Sequence, residues 1–456
     1  MSGFYLTVTG LSFILGATMT NIKTYCDISF AEKIRIFSND YLKCCFYIAA
    51  SDTPEYLFTK KLYSEMIASS QLLEDFLDFH GAKKNTDWIF YRELSAAVRH
   101  LSLAGYSQKH ISNRLVYYLL PDSEKFMEDG TAMNNFIMNC LSSLAPVIIE
   151  EAKRLNIPLP AERFQPADFP GVVSDMLLSA DIEGTAKDIQ KKAIAKIASK
   201  FLEIAKSFDE IGFYTPFSND EILELVPEKI NEVEIRRYEM LVHNLQSSFD
   251  TYVLQGGHPF ETNKLASFRG FFSVVFHLLQ SMGRCLHFYE RHLHKKQYHE
   301  KLIEVQHRLS DLIDPAALLN HTVNHCLYYT CHFFRTGKSL AEEILNENIE
   351  RGEIRVGVPV PLGFHMRPSL LVAKIVQNYG GEVAMRINDN RYDASSPLEL
   401  QIAGGKIARD CITEVRFEGD IRSLKDIEIL ASANYCEDHE GKRVSFPKEL
   451  TYLKEM

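Results

Sequence analysis

The chain has 456 residues, with 60 acidic against 50 basic side chains, enough for roughly two to four domains with ample core. Its mild acidity excludes a basic face with general affinity for nucleic acid. Nine cysteines are scattered, with Cys44 and Cys45 adjacent and no plausible secretion signal, so the reading is a reduced, cytoplasmic protein without a disulfide framework.

Residues Gly3 to Ile22 are uncharged and fairly apolar. They lack the basic n-region of a signal peptide, and their threonines, serines and glycines make a membrane span marginal. A β-hairpin, or an extension upstream of a start at Met19, is expected instead, and no membrane partner. Asp52-Thr53-Pro54-Glu55 is a helix start; Leu57, Leu62, Met66, Leu72, Leu73, Phe76 and Leu77 then recur at helical spacing until Gly81. Trp88 to Leu103 predicts a second helix ending at Gly105, and Asn134 to Leu155 a third, apolar and central. Residues 1–157 thus read as a helical domain.

Gly105-Tyr106-Ser107-Gln108-x-x-Ile111-Ser112-x-x-Leu115 has the form of the turn and second helix of a helix-turn-helix, with Lys109, His110 and Arg114 outward. A plain helical corner uses the same glycine and serine for capping alone. The acidic chain weighs against DNA as a partner, because phosphate contacts need a basic surface.

Pro158, Pro160, Pro166 and Pro170 mark an extended linker. Asp181 to Phe208 follows as an amphipathic helix with Lys191, Lys192, Lys196 and Lys200 on its wet face, so 158–225 reads as linker plus helix. Over 226–351, the segments Glu228 to Leu254, Lys264 to Leu293, Lys295 to Ile313 and Pro315 to Arg351 predict a long antiparallel helical bundle, a surface suited to oligomer formation. Histidines are dense there: His287, His292, His294, His299, His307, His321, His325 and His332. His321 and His325 stand at i, i+4 with His332 about two turns on, a spacing that would suit a metal with Cys326 or Cys331 nearby. The bundle has one Glu-x-x-His (Glu304 to His307) and no His-Glu-x-x-His, so neither a di-iron centre nor a zincin is indicated. Ordinary core and surface histidines explain the density, and neither a metal nor a cofactor is expected. A second phosphoryl-bearing histidine on the bundle has no signature around it.

The most informative stretch is Leu362-Gly363-Phe364-His365-Met366-Arg367-Pro368-Ser369. A short apolar strand, Ile354 to Val360, runs into it and an amphipathic helix, Leu370 to Asn378, runs out. The first N–H groups of that helix lack intrahelical acceptors and carry the positive end of its dipole. Pro368 suits the first turn, where its missing N–H is not needed. An anion beside His365 would meet backbone donors of Met366 and Arg367 and the Arg367 guanidinium together. Such a cradle suits a phosphoryl group carried on an imidazole, a nucleophile that needs no deprotonation at neutral pH.

Gly-x-His-x-Arg-Pro-Ser/Ala after a strand resembles the phosphorylation motif of HPr, the histidine phosphocarrier of the bacterial sugar phosphotransferase system. The resemblance continues past the motif. Glu382 to Ile387 and Arg391 to Ala394 read as strands joined at Asn388-Asp389-Asn390. Ser396 and Pro397 open a short helix that Gly404-Gly405 closes. Ile412 to Phe417 is a fourth strand and Ser423 to Asn434 a third helix. The resemblance implies a C-terminal α+β unit over 353–440, an open-faced β-sandwich of order β-α-β-β-α-β-α, with 441–456 as a tail.

By the same resemblance, His365 accepts the phosphoryl group, Arg367 stabilises it, and Ser396 falls on the serine that a regulatory kinase modifies in some bacteria. Ser396 serves equally as a plain helix cap. No Walker loop and no kinase signature stand elsewhere. An Enzyme I-like donor or a sugar-transporter A component is therefore the expected partner. The chain reads as a phosphoryl carrier rather than a free-standing catalyst: a phosphotransferase-linked regulator in which His365 controls what the helical region binds. A DNA-binding regulator with an HPr-like sensor, and a non-phosphorylated interaction module, are the alternatives.

Overall fold

A computed structural model describes residues 28–51, 57–171, 187–253, 263–294 and 299–454. The expected hairpin or extension at Gly3 to Ile22 and the helix start at Asp52 to Glu55 lie outside the described residues. The chain is mostly helical with one small antiparallel sheet. The helices before the sheet are α1 (Phe30–Ala49), α2 (Lys60–Phe79), α3 (Ile89–Arg114), α4 (Ser123–Arg154), α5 (Lys187–Asp209), α6 (Asn219–Leu225), α7 (Glu232–Tyr252), α8 (Asn263–Phe288), α9 (Glu300–Leu312), α10 (Pro315–His321) and α11 (Tyr328–Asn348). Then follow β1 (Arg351–Gly357), α12 (Met366–Tyr379), β2 (Val383–Ile387), β3 (Asn390–Asp393), α13 (Pro397–Arg409), β4 (Glu414–Asp420) and α14 (Ile421–Ser432).

Local chemistry starts many of these helices. Ser29, Thr59, Asn231 and Asp314 each accept a hydrogen bond from a backbone N–H of the first turn, satisfying donors that the helix itself leaves open. Ser218 and Glu221 complete a reciprocal capping box on α6. One buried apolar core runs through the helical body from Ile34 to Leu345, continuous across residues 157 and 225. Among the described residues one helix, α4, is long and apolar enough to cross a membrane, and 44% of its most apolar window is buried inside the protein.

Several sequence boundaries move, for physical reasons. Helix α3 runs straight through Gly105, so the expected turn, and with it the helix-turn-helix, is absent. A Cβ at Gly105 would lie 2.5 Å from the Tyr63 ring: the glycine lets α2 and α3 cross closely. Likewise α13 continues past Gly404-Gly405 to Arg409, because a Cβ at Gly404 would meet the Phe364 carbonyl oxygen at 2.5 Å. The last bundle helix stops at Asn348, and Arg351 opens β1 instead. Two π-helical turns, Tyr289–Leu293 and Thr322–Leu327, interrupt the long helices.

The sheet order is β1-β4-β2-β3, with every pairing antiparallel. Ile354 and Met385 both lie opposite Phe417. Helices α12, α13 and α14 supply Val372, Ile375, Leu400, Ala403, Leu424 and Ile427 to a second buried core over the sheet. The expected tail belongs to this core, since Leu450 and Leu453 are buried in it. Charged side chains occupy the other face, where Arg386 pairs with Glu418 and Arg416 with Glu353.

The sheet unit rests on the helical body at the far end of α12. Ser199 Oγ donates to the Tyr379 carbonyl at 3.1 Å, and the Glu382 N–H donates to Asn346 Oδ1 at 2.9 Å. Arg422 bridges Ser199 Oγ at 3.1 Å to the buried Asp420 carboxylate at 2.6 Å. A cleft of about 840 Å³ opens beside this junction, lined among others by Lys206, Lys338, Glu382 and Arg391.

Candidate functional site

Between β1 and α12 the chain makes a tight approach to a helix start. Gly363 adopts φ +65°, a left-handed conformation that glycine reaches without steric cost. The His365 N–H then donates to the Gly363 carbonyl at 2.8 Å. His365 is the N-cap of α12 in extended conformation, and its side chain makes no capping bond. Ser369 makes the bond back to the His365 carbonyl at 3.2 Å. The N–H groups of Met366 and Arg367 precede that bond and point from the helix's positive end. Buried Phe364 anchors the turn from below, its ring centroid 5.3 Å from that of Tyr435.

The sequence motif leaves out one member of the site. Glu437 has a fully buried carboxylate, 3.0 Å from His365 Nε2 and 2.5 Å from Arg367 Nη1. The same guanidinium nitrogen donates to the Gly441 carbonyl at 3.0 Å. A carboxylate in this state only accepts, so in the neutral imidazole Nε2 carries the hydrogen and Nδ1 holds the lone pair. Glu437 thus orients the ring and keeps Arg367 beside it.

Three consecutive left-handed residues carry Glu437 into position: Asn434, Tyr435 and Cys436, with φ of 44°, 53° and 59°. Non-glycine residues in this region cost on the order of 1–3 kcal/mol each and persist where surroundings over-determine them. Here the Asn434 amide clasps the Val360 backbone, accepting from its N–H at 3.0 Å and donating to its carbonyl at 2.6 Å. Tyr435 donates its hydroxyl to the Gly357 carbonyl at 3.0 Å. All three bonds tie the turn to the segment leading into His365.

Ser396 caps α13, accepting from the Glu399 N–H at 3.3 Å, with Pro397 in the first turn. Gln401 Nε2 lies 3.6 Å from Met366 Sδ, which sets the opening turns of α12 and α13 side by side. Around them Val360, Leu362, Met366, Leu370, Leu398 and Ile402 are large apolar side chains left exposed.

The other sequence candidates fare differently. His110 turns inward, with Nδ1 3.0 Å from Lys60 Nζ and its ring 4.0 Å from that of His277; burial, His277 and Lys60 hold it down at about 3. His321, His325 and His332 make no ligand set. His325 lies inside a π-turn stacked on Phe126, while His332 pairs with Asp122 at 3.2 Å. The compact histidine group among the described residues is His100, His287 and His292, drawn together from α3 and the end of α8.

No family model matches the sequence, no curated protein matches it, and no solved structure matches the fold. The geometry at His365 carries the functional reading.

Proposed function

We propose that the C-terminal unit is an HPr-like phosphoryl carrier and that His365 Nδ1 is its acceptor atom. The single observation that carries this is one buried carboxylate, Glu437, holding both His365 Nε2 and Arg367 at the N-terminus of α12. The Nδ1 lone pair attacks the donor's phosphorus, a phosphorus–nitrogen bond forms, and the bond to the donor breaks. Nε2 keeps its hydrogen on Glu437 throughout, so no proton has to leave the ring. Arg367 and the N–H groups of Met366 and Arg367 then face the transferred oxygens, the positioning and charge stabilisation that phosphoryl transfer requires. The order of elements from β1 to α14, with helices over an antiparallel sheet, supports the same reading.

The exposed apolar ring around His365 supports a protein donor, since such patches on a folded surface mark interaction sites. An Enzyme I-like protein or a sugar-transporter A component is the proposed partner. Regulation of the helical body by the state of His365 is the proposed purpose. Ser396 modification would exchange a capping hydroxyl for a phosphate beside this ring, and so act on docking.

Full-length protein incubated with Enzyme I and phosphoenolpyruvate is expected to gain acid-labile, base-stable phosphate that His365→Ala does not. Equal label in both proteins would move the site to the helical histidines. Label in neither would favour a second reading, a docking module without chemistry. One observation favours that reading too: Glu437 already fills Arg367, as an internal carboxylate would in a unit that binds no phosphate.

A further inference from the structure

Three imidazoles meet inside the helical body. His100 comes from α3, His287 from the last turn of α8, and His292 from the π-turn that follows. Their ligand-bearing atoms lie within 4.8 Å of one another. Five residues along an α-helix leave two side chains roughly 140° apart. The π-turn Tyr289–Leu293 widens the helix to i→i+5 bonding, which brings His287 and His292 to one side with ring centroids 5.8 Å apart.

Two of the three rings are held from behind. Glu232 Oε1 lies 2.7 Å from His287 Nδ1, and Glu93 Oε2 lies 2.5 Å from His292 Nδ1. In each neutral ring the carboxylate takes the Nδ1 hydrogen, so Nε2 presents its lone pair. This backing fixes tautomer and orientation in metal-ligating histidines. His100 is 2% exposed, and its Nδ1 is buried without a hydrogen-bond partner.

We propose that His100 Nδ1, His287 Nε2 and His292 Nε2 form a site for a divalent transition metal, zinc above all. Three imidazole nitrogens with a fourth position open to water suit its tetrahedral preference. Glu93 and Glu232 stand behind the ligands, each already paired with arginine, Glu93 with Arg92 at 3.1 Å and Glu232 with Arg236 at 2.7 Å and Arg291 at 3.6 Å, so a bound cation has to share these carboxylates. Arg99 Nη2 now sits 3.1 Å from His100 Nε2, and Arg99 Nε sits 2.8 Å from Glu74 Oε2. Metal on Nδ1 shifts the His100 hydrogen to Nε2, and Arg99 turns wholly to Glu74. The ring changes tautomer without releasing a proton.

Chelator-stripped full-length protein is titrated with zinc against a chromophoric chelator, and with cobalt by visible absorption. The expected result is one tight equivalent of zinc and an intense tetrahedral cobalt band. His287→Gln and His292→Gln are expected to weaken zinc at least 10-fold, and Glu93→Gln by 10- to 100-fold, with circular dichroism unchanged. No saturable equivalent in the wild type, or equal affinity in all variants, overturns the proposal. Should the variants unfold, the cobalt spectrum of the wild type decides: an octahedral or absent band overturns it.

Discussion

At the scale of single residues, the site rests on competition for Arg367. The guanidinium binds Glu437 in the resting protein and would bind phosphoryl oxygens after transfer. Glu437→Gln keeps an acceptor for His365 Nε2 but releases the charge on Arg367. It is expected to raise the equilibrium occupancy of phosphohistidine a few-fold, measured by acid-labile label at fixed donor. Arg367→Ala removes the clamp and is expected to slow labelling by about 100-fold, the usual cost of one preorganised donor; an unchanged rate would remove Arg367 from the site. The motif around His365 and Arg367 is legible because it is local: histidine, arginine and proline stand within four residues of one another at a helix start. Glu437 was not, because it arrives through a left-handed turn at Asn434, Tyr435 and Cys436. Asparagine tolerates that conformation, but nothing about a tyrosine or a cysteine announces it.

At the scale of elements, glycine is where pattern reading and structure part. Gly105 and Gly404 look like helix ends, yet each lies inside a helix where another element presses close. The absent side chain serves packing there, which a single sequence does not distinguish from chain reversal. Gly404→Ala is expected to cost about 1–3 kcal/mol, the usual penalty for overpacking, because its neighbour is the Phe364 carbonyl rather than a movable side-chain tip. The midpoint of urea unfolding checks this, and a variant as stable as the wild type would refute the close contact. The caps, by contrast, were readable: Ser396 and Pro397 open α13 as their chemistry dictates. The π-turns are not legible, since each inserts one extra residue into the helical period without any marker, as Thr322–Leu327 does between His321 and His332.

At the scale of the molecule, buried histidines couple stability to pH. Burial pushes His325 down to about 4, and His277 to about 4 as well. Between the ordinary value of about 6.5 and that level, the unfolded chain takes up a proton that the folded ring refuses, so stability falls as pH falls. Each such group changes stability by about 1.4 kcal/mol per pH unit in that window, or about 3 kcal/mol in all for His325. Chemical denaturation at pH 7 and pH 5 is expected to show the loss. His325→Leu is expected to make the dependence shallower by about one proton, as both ring nitrogens of His325 lie buried without partners; an unchanged slope would mean that His325 charges in the fold.

Helix α12 joins the two halves of the molecule in an unequal way. Its last residues sit on the helical body through Tyr379 and Ser199, while His365 caps the opposite end, about 20 Å away at 1.5 Å per residue. A small free carrier diffuses between donor and acceptor; a carrier of the kind proposed would instead be moored by the tail of α12, with His365 at the far end. On that proposal it would be a fixed post at which partners call in turn. On the same proposal, a change at His365 would reach the body along α12, at Ser199 and Arg422, beside the neighbouring contact of Glu382 with Asn346.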